Sequence, residues 1–286
     1  MICVGMAPTL RDELLDRARR AACEVAAGLG LAVEPPELIA FASNVILRLP
    51  PHDLVARVSG EAAEIRAGTD GRAREIAVTR FLAAAGAPVV APSELIDPGP
   101  HAHDGLHISF WAHVRDEGSH NGVGDGAPKS AIAALKTLQR CRAALATCPE
   151  PLPYMQGYSE TRRLFHELLR TDMLGTIDPA DTVRRLAEID AVLEGHGGAS
   201  SPSNVPLHGD AHLKNMLVSG GQGLWIDWDD VCTGPVAWDH ACLIVSLRDD
   251  ESRAGDEAAL MERLSGDIDP DLLAAMIDAR NLQREL

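Results

Sequence analysis

His208, Asp210 and Asn215 stand in the order H-x-D-x-x-x-x-N within LHGDAHLKNMLVS, and Asp227 follows in the apolar setting LWIDW. Each residue type suits one part of a phosphoryl transfer. A carboxylate at Asp210 can take the proton of an attacking hydroxyl. An amide oxygen at Asn215 and a second carboxylate at Asp227 are hard ligands for magnesium, which keeps waters and phosphate oxygens in its other positions. The set works only if Asp227 folds back on Asn215. Met216 to Ser219 and Leu224 to Trp228 read as two short strands, and Gly220 to Gly223 between them is turn chemistry. Closed as a hairpin, the two strands put Asn215 beside Asp227, with Asp210 at the mouth.

The stretch from Leu207 to His240, LHGDAHLKNMLVSGGQGLWIDWDDVCTGPVAWDH, resembles the signature of the aminoglycoside phosphotransferase and choline kinase group. These are small-molecule kinases with a protein-kinase-like fold, whose catalytic loop reads close to HGDxHxxN and whose metal carboxylate sits in an IDW context. The likeness is strong over Leu207 to Asp239 and weaker over Val45 to Trp111. It implies an α+β, two-lobed chain with an antiparallel sheet plus helix in the N-lobe and a larger, mainly helical C-lobe. It implies ATP and Mg2+ as cofactors and a small-molecule hydroxyl acceptor, cationic in character, of the aminoglycoside or related amine type. His208 and Asp239 are then braces of the loop, and His212, where relatives commonly carry histidine, either reaches a phosphate or packs under the loop.

The same resemblance asks for a cation on the third strand of the N-lobe to neutralise the α- and β-phosphates, usually a lysine held by a helical glutamate. No lysine precedes Lys129, and Leu54-Val55-Ala56-Arg57 places an arginine there. Arg57 is the candidate, with Glu75 on the helix expected over 71–85 as its partner; Glu61 and Glu64, in what reads as a loop, are alternatives. Where a glycine-rich loop would cover the phosphates, the chain has Phe41-Ala42-Ser43-Asn44-Val45, so Ser43 or backbone amides would do that work.

The elements that must position these residues follow from periodicity. An amphipathic helix is expected over 9–28, strands over 37–41, 44–49, 54–59 and 106–114, and helices over 129–146, 159–171, 181–193 and 236–247. The last of the four strands leads into the hinge that the family resemblance implies near Trp111 to Val114. Residues 117–128, EGSHNGVGDGAP, read as a linker, giving an N-lobe over 1–116 and a C-lobe over 129–286. His101, His103, His107 and His113 lack a compact ligand spacing and read as solvated. The acidic residues of the last segments, Asp249 to Asp271, read as an acceptor wall or as a solvated face.

The 286 residues are 46% hydrophobic, enough for a substantial core, and the net charge of −16 argues against nucleic acid. No run is long enough for a membrane span and the start lacks the order of a signal peptide, so a cytoplasmic protein is expected. Six scattered cysteines read as free thiols. Two other function classes fit parts of the pattern. The missing lysine and glycines suit a catalytically silent nucleotide-binding regulator, and His208, Asp210, His212 and Asp227 could serve a metal-dependent hydrolase if further ligands joined them.

Overall fold

The computed structural model describes residues 8–59, 64–117 and 129–286, with side chains from residue 10 onward and outside 64–70. Glu61 and, beyond Glu117, the expected linker lie outside the described residues. The chain divides into two compact units, one ending at Arg115 and the other beginning at Asp116.

The first unit is a five-stranded antiparallel sheet in the order β1-β2-β3-β5-β4, from β1 (Glu37–Phe41), β2 (Val45–Arg48), β3 (Leu54–Ser59), β4 (His101–His103) and β5 (Leu106–Ala112). Alternation decides its two faces. Leu54, Ala56 and Val58 of β3 are buried with Val45 and Leu47 of β2 and Phe110 of β5, against Ala18, Ala21, Ala22 and Ala26 of α1 (Pro8–Gly28). Alanine at those helix positions lets the backbone lie close to the sheet. Period two then turns Arg57 to the opposite face, where Glu75 of α2 (Glu64–Ala84) meets it. Helix α2 begins before the expected 71, so Glu64 is helical rather than in a loop. Gly68 and Gly71 are carried inside it at a cost of about 1 kcal/mol each. His101 and His103 lie on strand β4, which no periodicity marked.

The second unit holds α3 (Ala131–Leu145), α4 (Gln156–Arg170), α5 (Pro179–Gly195), α6 (Ala237–Arg248), α7 (Ala254–Leu264) and α8 (Pro270–Glu285). Three of them start in capping chemistry: Ser130 Oγ accepts from Ala133 N at α3, while Asp178 and Asp269 precede a proline at the first helical position and cap α5 and α8. Helix α6 is apolar nearly all round and buried from Ala237 to Val245, as the centre of a helical unit must be.

Two small sheets frame the expected catalytic stretch. Strand β6 (Val205–Leu207) pairs with β9 (Cys232–Gly234), and β7 (Met216–Ser219) pairs with β8 (Gln222–Trp225). The hairpin is tighter than the sequence suggests: Gly220 and Gly221 form the whole turn, at φ 55° and 73°. Gly223 belongs to the strand, where any Cβ would lie 2.6 Å from Met216 Sδ. Of the five described cysteines, all free, Cys141, Cys232 and Cys242 are buried.

Candidate active site

The loop from His208 to Asn215 is held by its own backbone partners. Asp239, on the first turn of α6, accepts from His208 N at 3.1 Å and from Gly209 N at 3.0 Å, one bond to each carboxylate oxygen. Trp238 Nε1 donates to Gly209 O at 2.7 Å. Gly209 has φ 90° and lies so close to the returning chain that a Cβ would sit 1.9 Å from Asp230 O. Only glycine fits there.

His208 is a brace. Its Nδ1 accepts from Asp210 N at 3.3 Å, so Nε2 carries the proton and donates to Ile226 O at 3.0 Å. Burial between Trp225 and Trp228 pushes its pKa down and keeps it neutral against the pull of Asp239 and Asp210. Trp225 is fixed in turn by Thr137 of α3, whose Oγ1 accepts from Trp225 Nε1 at 2.9 Å.

The expected convergence of Asn215 on the Asp227 segment is present. Ile226 N donates to Asn215 O at 2.9 Å, extending the hairpin by one bond, and Asp227 then ends the strand with φ 65°. Aspartate is one of the few side chains that tolerates that region. Strand β8 stops at Trp225 rather than at the expected Trp228 for this reason. Asn215 Nδ2 donates to the Asp210 carbonyl at 3.0 Å and lies 3.3 Å from Asp210 Oδ2. The amide nitrogen is thereby committed to the loop, and the amide oxygen is the atom Asn215 can offer a cation. An amide oxygen and one carboxylate fit magnesium, which needs few protein ligands, better than a transition metal. Among the described residues no group of three or more His, Cys, Asp or Glu is placed to hold a metal ion.

Asp210 is surrounded. His212 caps the short 3₁₀ turn Leu213–Asn215 by accepting from Asn215 N through Nδ1 at 3.2 Å, and its Nε2 lies 3.4 Å from Asp210 Oδ2. Both ring nitrogens are thus spent inside the loop. The other carboxylate oxygen, Oδ1, accepts from Arg280 of α8. Burial alone would raise the Asp210 pKa, but His212 and Arg280 outweigh it and hold the carboxyl well below its usual range. Asp230 goes the other way: burial, then the charges of Asp229, Asp210, Glu160 and Asp227, drive its pKa up. Carboxylates therefore crowd Asp230, while the charges acting on Asp210 itself are those of His212 and Arg280.

In the first unit, Arg57 Nη1 is 2.7 Å from Glu75 Oε1, and the two side chains are 16% and 3% exposed. With its amide oxygen turned to the guanidinium, Asn44 accepts from Arg57 Nε at 3.0 Å and Nη2 at 3.3 Å. Ser43 sits exposed in the neighbouring β1–β2 turn.

The phosphotransferase enzyme family model matches residues 41–275. The chain belongs to that family. Comparison with curated protein sequences finds no match. Among solved structures, the aminoglycoside-3'-phosphotransferase of type VIII superposes with a TM-score of 0.66 at 17% identity, covering 94% of this chain and 98% of that chain. Aminoglycoside phosphotransferase APH(3'')-Id from Streptomyces rimosus, in complex with ADP and streptomycin, gives 0.63 at 12% identity over 97% and 99%. Choline kinase LicA from Streptococcus pneumoniae gives 0.61 at 13% identity over 93% and 87%. At these identities the likeness carries the fold, an antiparallel N-terminal sheet followed by a mainly helical part, and the α+β expectation is met.

Three neighbours of the candidate residues were announced by no motif. Arg280 lies 70 residues from Asp210 on a helix read only as a closing segment. Asn44 sits in a turn noted for its serine. Asp230 follows Asp227 in WDD and could have been found from that run alone. The acidic residues of the last segments do other work: Asp269 caps α8 and Asp250 caps a short turn, while Asp249, Asp256, Glu257 and Asp267 pair with Arg284, Arg253, Arg248 and Arg263. Among the described residues no helix is long and apolar enough to cross a membrane.

Proposed function

We propose that this phosphotransferase moves the γ-phosphoryl group of ATP, with magnesium, to a hydroxyl of a small cationic acceptor such as an aminoglycoside-type antibiotic or a related amine. One observation carries the reading. A single loop and hairpin hold the Asp210 carboxylate, the Asn215 amide and the Asp227 segment together through the Asn215 Nδ2 to Asp210 carbonyl bond and the Ile226 N to Asn215 O bond. A hydrolase would need a fuller set of metal ligands, and a silent binder has no use for Asp210.

Asp210 stays ionised at neutral pH and so can accept the acceptor hydroxyl's proton as its oxygen bonds to the γ-phosphorus. The bond from that phosphorus to the bridging oxygen breaks, and its electron pair remains on ADP. Asn215 and Asp227 would hold magnesium, which supplies charge neutralisation at the phosphates. His212 is assigned to orienting Asp210 rather than to contacting nucleotide, because both its nitrogens serve the loop. Arg57, fixed by Glu75 and Asn44, neutralises the α- and β-phosphates in place of lysine, and Ser43 covers them from the adjacent turn. The carboxylates of Asp229 and Glu160, close enough to Asp230 to help push its pKa up, support a cationic acceptor. We further propose a cytoplasmic location and the domain assignment of nucleotide phosphates to the first unit and acceptor to the second.

The test is magnesium-ATP consumption across a panel of aminoglycosides, hydroxylated amines and sugars, with Asp210→Ala as the blank. Stimulation by an amine class, lost in the variant, is the expected result. Full turnover in Asp210→Ala, or no magnesium-ATP binding by calorimetry, would overturn the assignment.

A further inference from the structure

Arg280 is a strange neighbour for a carboxylate that must meet a hydroxyl. Its guanidinium donates to Asp210 Oδ1 through Nη2 and to Gln283 Oε1 through Nη1. The side chain is only 12% exposed. Asp210 Oδ2 faces His212 and Asn215, so every oxygen of this carboxylate already has a partner.

The helix that presents Arg280 is tied down on both sides. Arg185 of α5 holds Asp278 at 2.6 Å and Glu285 at 2.7 Å, and Arg284 holds Asp249 at 2.8 Å. Leu272, Met276, Ala279 and Leu282 bury the core-facing stripe of α8. Gln283 is confined as well, since a Cβ on Gly157 at the start of α4 would lie 2.9 Å from its Nε2. The helix is therefore fixed. What can move is the guanidinium itself, at the end of a long stem.

We infer that Arg280 is a gate on Asp210, standing in for the positive charge of the acceptor and keeping water from using the carboxylate until a cationic acceptor displaces it. The inference rests on the reading of Asp210 as the proton-accepting group. With Arg280 on Oδ1, a water molecule has no strong acceptor to orient it toward the γ-phosphorus. An acceptor ammonium that pairs with Asp210 Oδ1 supplies the same charge and releases Arg280. The guanidinium thus selects for cationic acceptors over water and neutral alcohols.

The predicted leak is ATP hydrolysis: water oxygen bonds to the γ-phosphorus, the bridging bond breaks with its electrons left on ADP, and the water proton passes to Asp210. Arg280→Ala is expected to raise acceptor-independent magnesium-ATP hydrolysis about tenfold, the scale on which one charge-assisted hydrogen bond biases an equilibrium. Arg280→Ala/Asp210→Asn should lose the gain. Gln283→Leu, which keeps the arginine and removes its second anchor, guards against a folding defect and should raise hydrolysis by a smaller factor. A readout independent of turnover uses ethylguanidinium. It should raise the melting temperature of Arg280→Ala more than that of the wild type, and do so only while Asp210 is present. Hydrolysis that is unchanged or lower in both Arg280→Ala and Gln283→Leu, with magnesium-ATP binding intact, overturns the gate and leaves the kinase reading standing. Failure of every variant and the wild type to bind magnesium-ATP overturns both.

Discussion

Substituting Gly209 by alanine tests whether the catalytic loop is held by close backbone approach or only by its hydrogen bonds. The added Cβ would lie 1.9 Å from Asp230 O and 2.6 Å from Asp230 C, where ordinary contact begins at 3.4 Å. One of the two segments must therefore shift by about 1.5 Å, the difference 3.4 − 1.9. Gly209 is pinned by Asp239 and Trp238, and its neighbour is Asp210; Asp230 is three residues from Asp227. Whichever side yields, a proposed catalytic or metal-binding carboxylate moves with it. Two costs add: about 1–2 kcal/mol for alanine at positive φ and about 1–3 kcal/mol for overpacking. Displacement on the order of 1 Å should lower kcat about 100-fold. Gly221→Ala separates the terms, because Gly221 also has positive φ (73°) but nothing within 4 Å of its Cβ. It should lose only the first, about 1–2 kcal/mol, and keep its turnover. Urea denaturation and acceptor-stimulated ADP release on the two variants measure both quantities. Equal stability loss and equal turnover in Gly209→Ala and Gly221→Ala would refute the close-approach argument.

Thr137→Val keeps the shape of α3 but leaves the buried Trp225 N–H without its acceptor. It should lower stability by about 1–3 kcal/mol at an unchanged m-value in urea. Glu75→Gln removes the buried carboxylate that Arg57 Nη1 meets at 2.7 Å, which should lower stability by about 3 kcal/mol and raise the KM for magnesium-ATP more than it lowers kcat; an unchanged KM would dissociate Arg57 from nucleotide binding. His240, 5% exposed with no ring partner among the described residues, has its pKa pushed down to about 4, by burial first and then by Arg142. The unfolded chain binds this proton below its ordinary 6.5, so between 6.5 and about 4 it holds more protons than the native state, and stability falls as the pH falls. The window of about 2.5 pH units corresponds to about 3 kcal/mol. His240→Phe should therefore flatten the stability profile between pH 7 and 4 relative to the wild type, as followed by denaturant midpoints; parallel profiles would remove His240 from the acid response.

The parts of this chain that were legible in its sequence are those where chemistry limits the residue types at a fixed spacing. Asp210, Asn215 and Asp227 could be read together because a hairpin is local and its glycines are visible. The details of that hairpin were not. Gly223 reads as turn, yet its lack of a side chain is needed inside β8, against Met216 Sδ. Asp227 reads as strand, yet it ends the strand at positive φ. Both facts depend on tertiary neighbours. The pairing of β6 with β9 joins two three-residue strands too short to carry a periodic signal. The Arg57–Glu75 pair was accessible because the family resemblance asks for a cation on the third strand and a helical glutamate to hold it; its second partner, Asn44, sits in a turn and carries no pattern. Arg280 and Asp210 meet only because α6 and α8 pack as they do, and no local rule contains that.

The supports of Asp210 separate into two kinds. Beneath it, Asp239, Trp238, His208 and Trp225 act on backbone groups from Leu207 to Ile226 and on one another, so they fix where the carboxylate is without touching its oxygens. Beside it, His212, Asn215 and Arg280 act on the oxygens themselves, so they govern its charge and what it can accept. The lower layer is buried and its hydrogen bonds have little freedom; damage there must appear in stability and turnover together. Within the outer layer, Arg280 lies on a helix anchored by other pairs, Asp278 to Arg185 and Arg284 to Asp249, so its guanidinium can leave Asp210 without unfolding anything. Acceptor preference can therefore change through α8 while the loop that performs the transfer stays as it is.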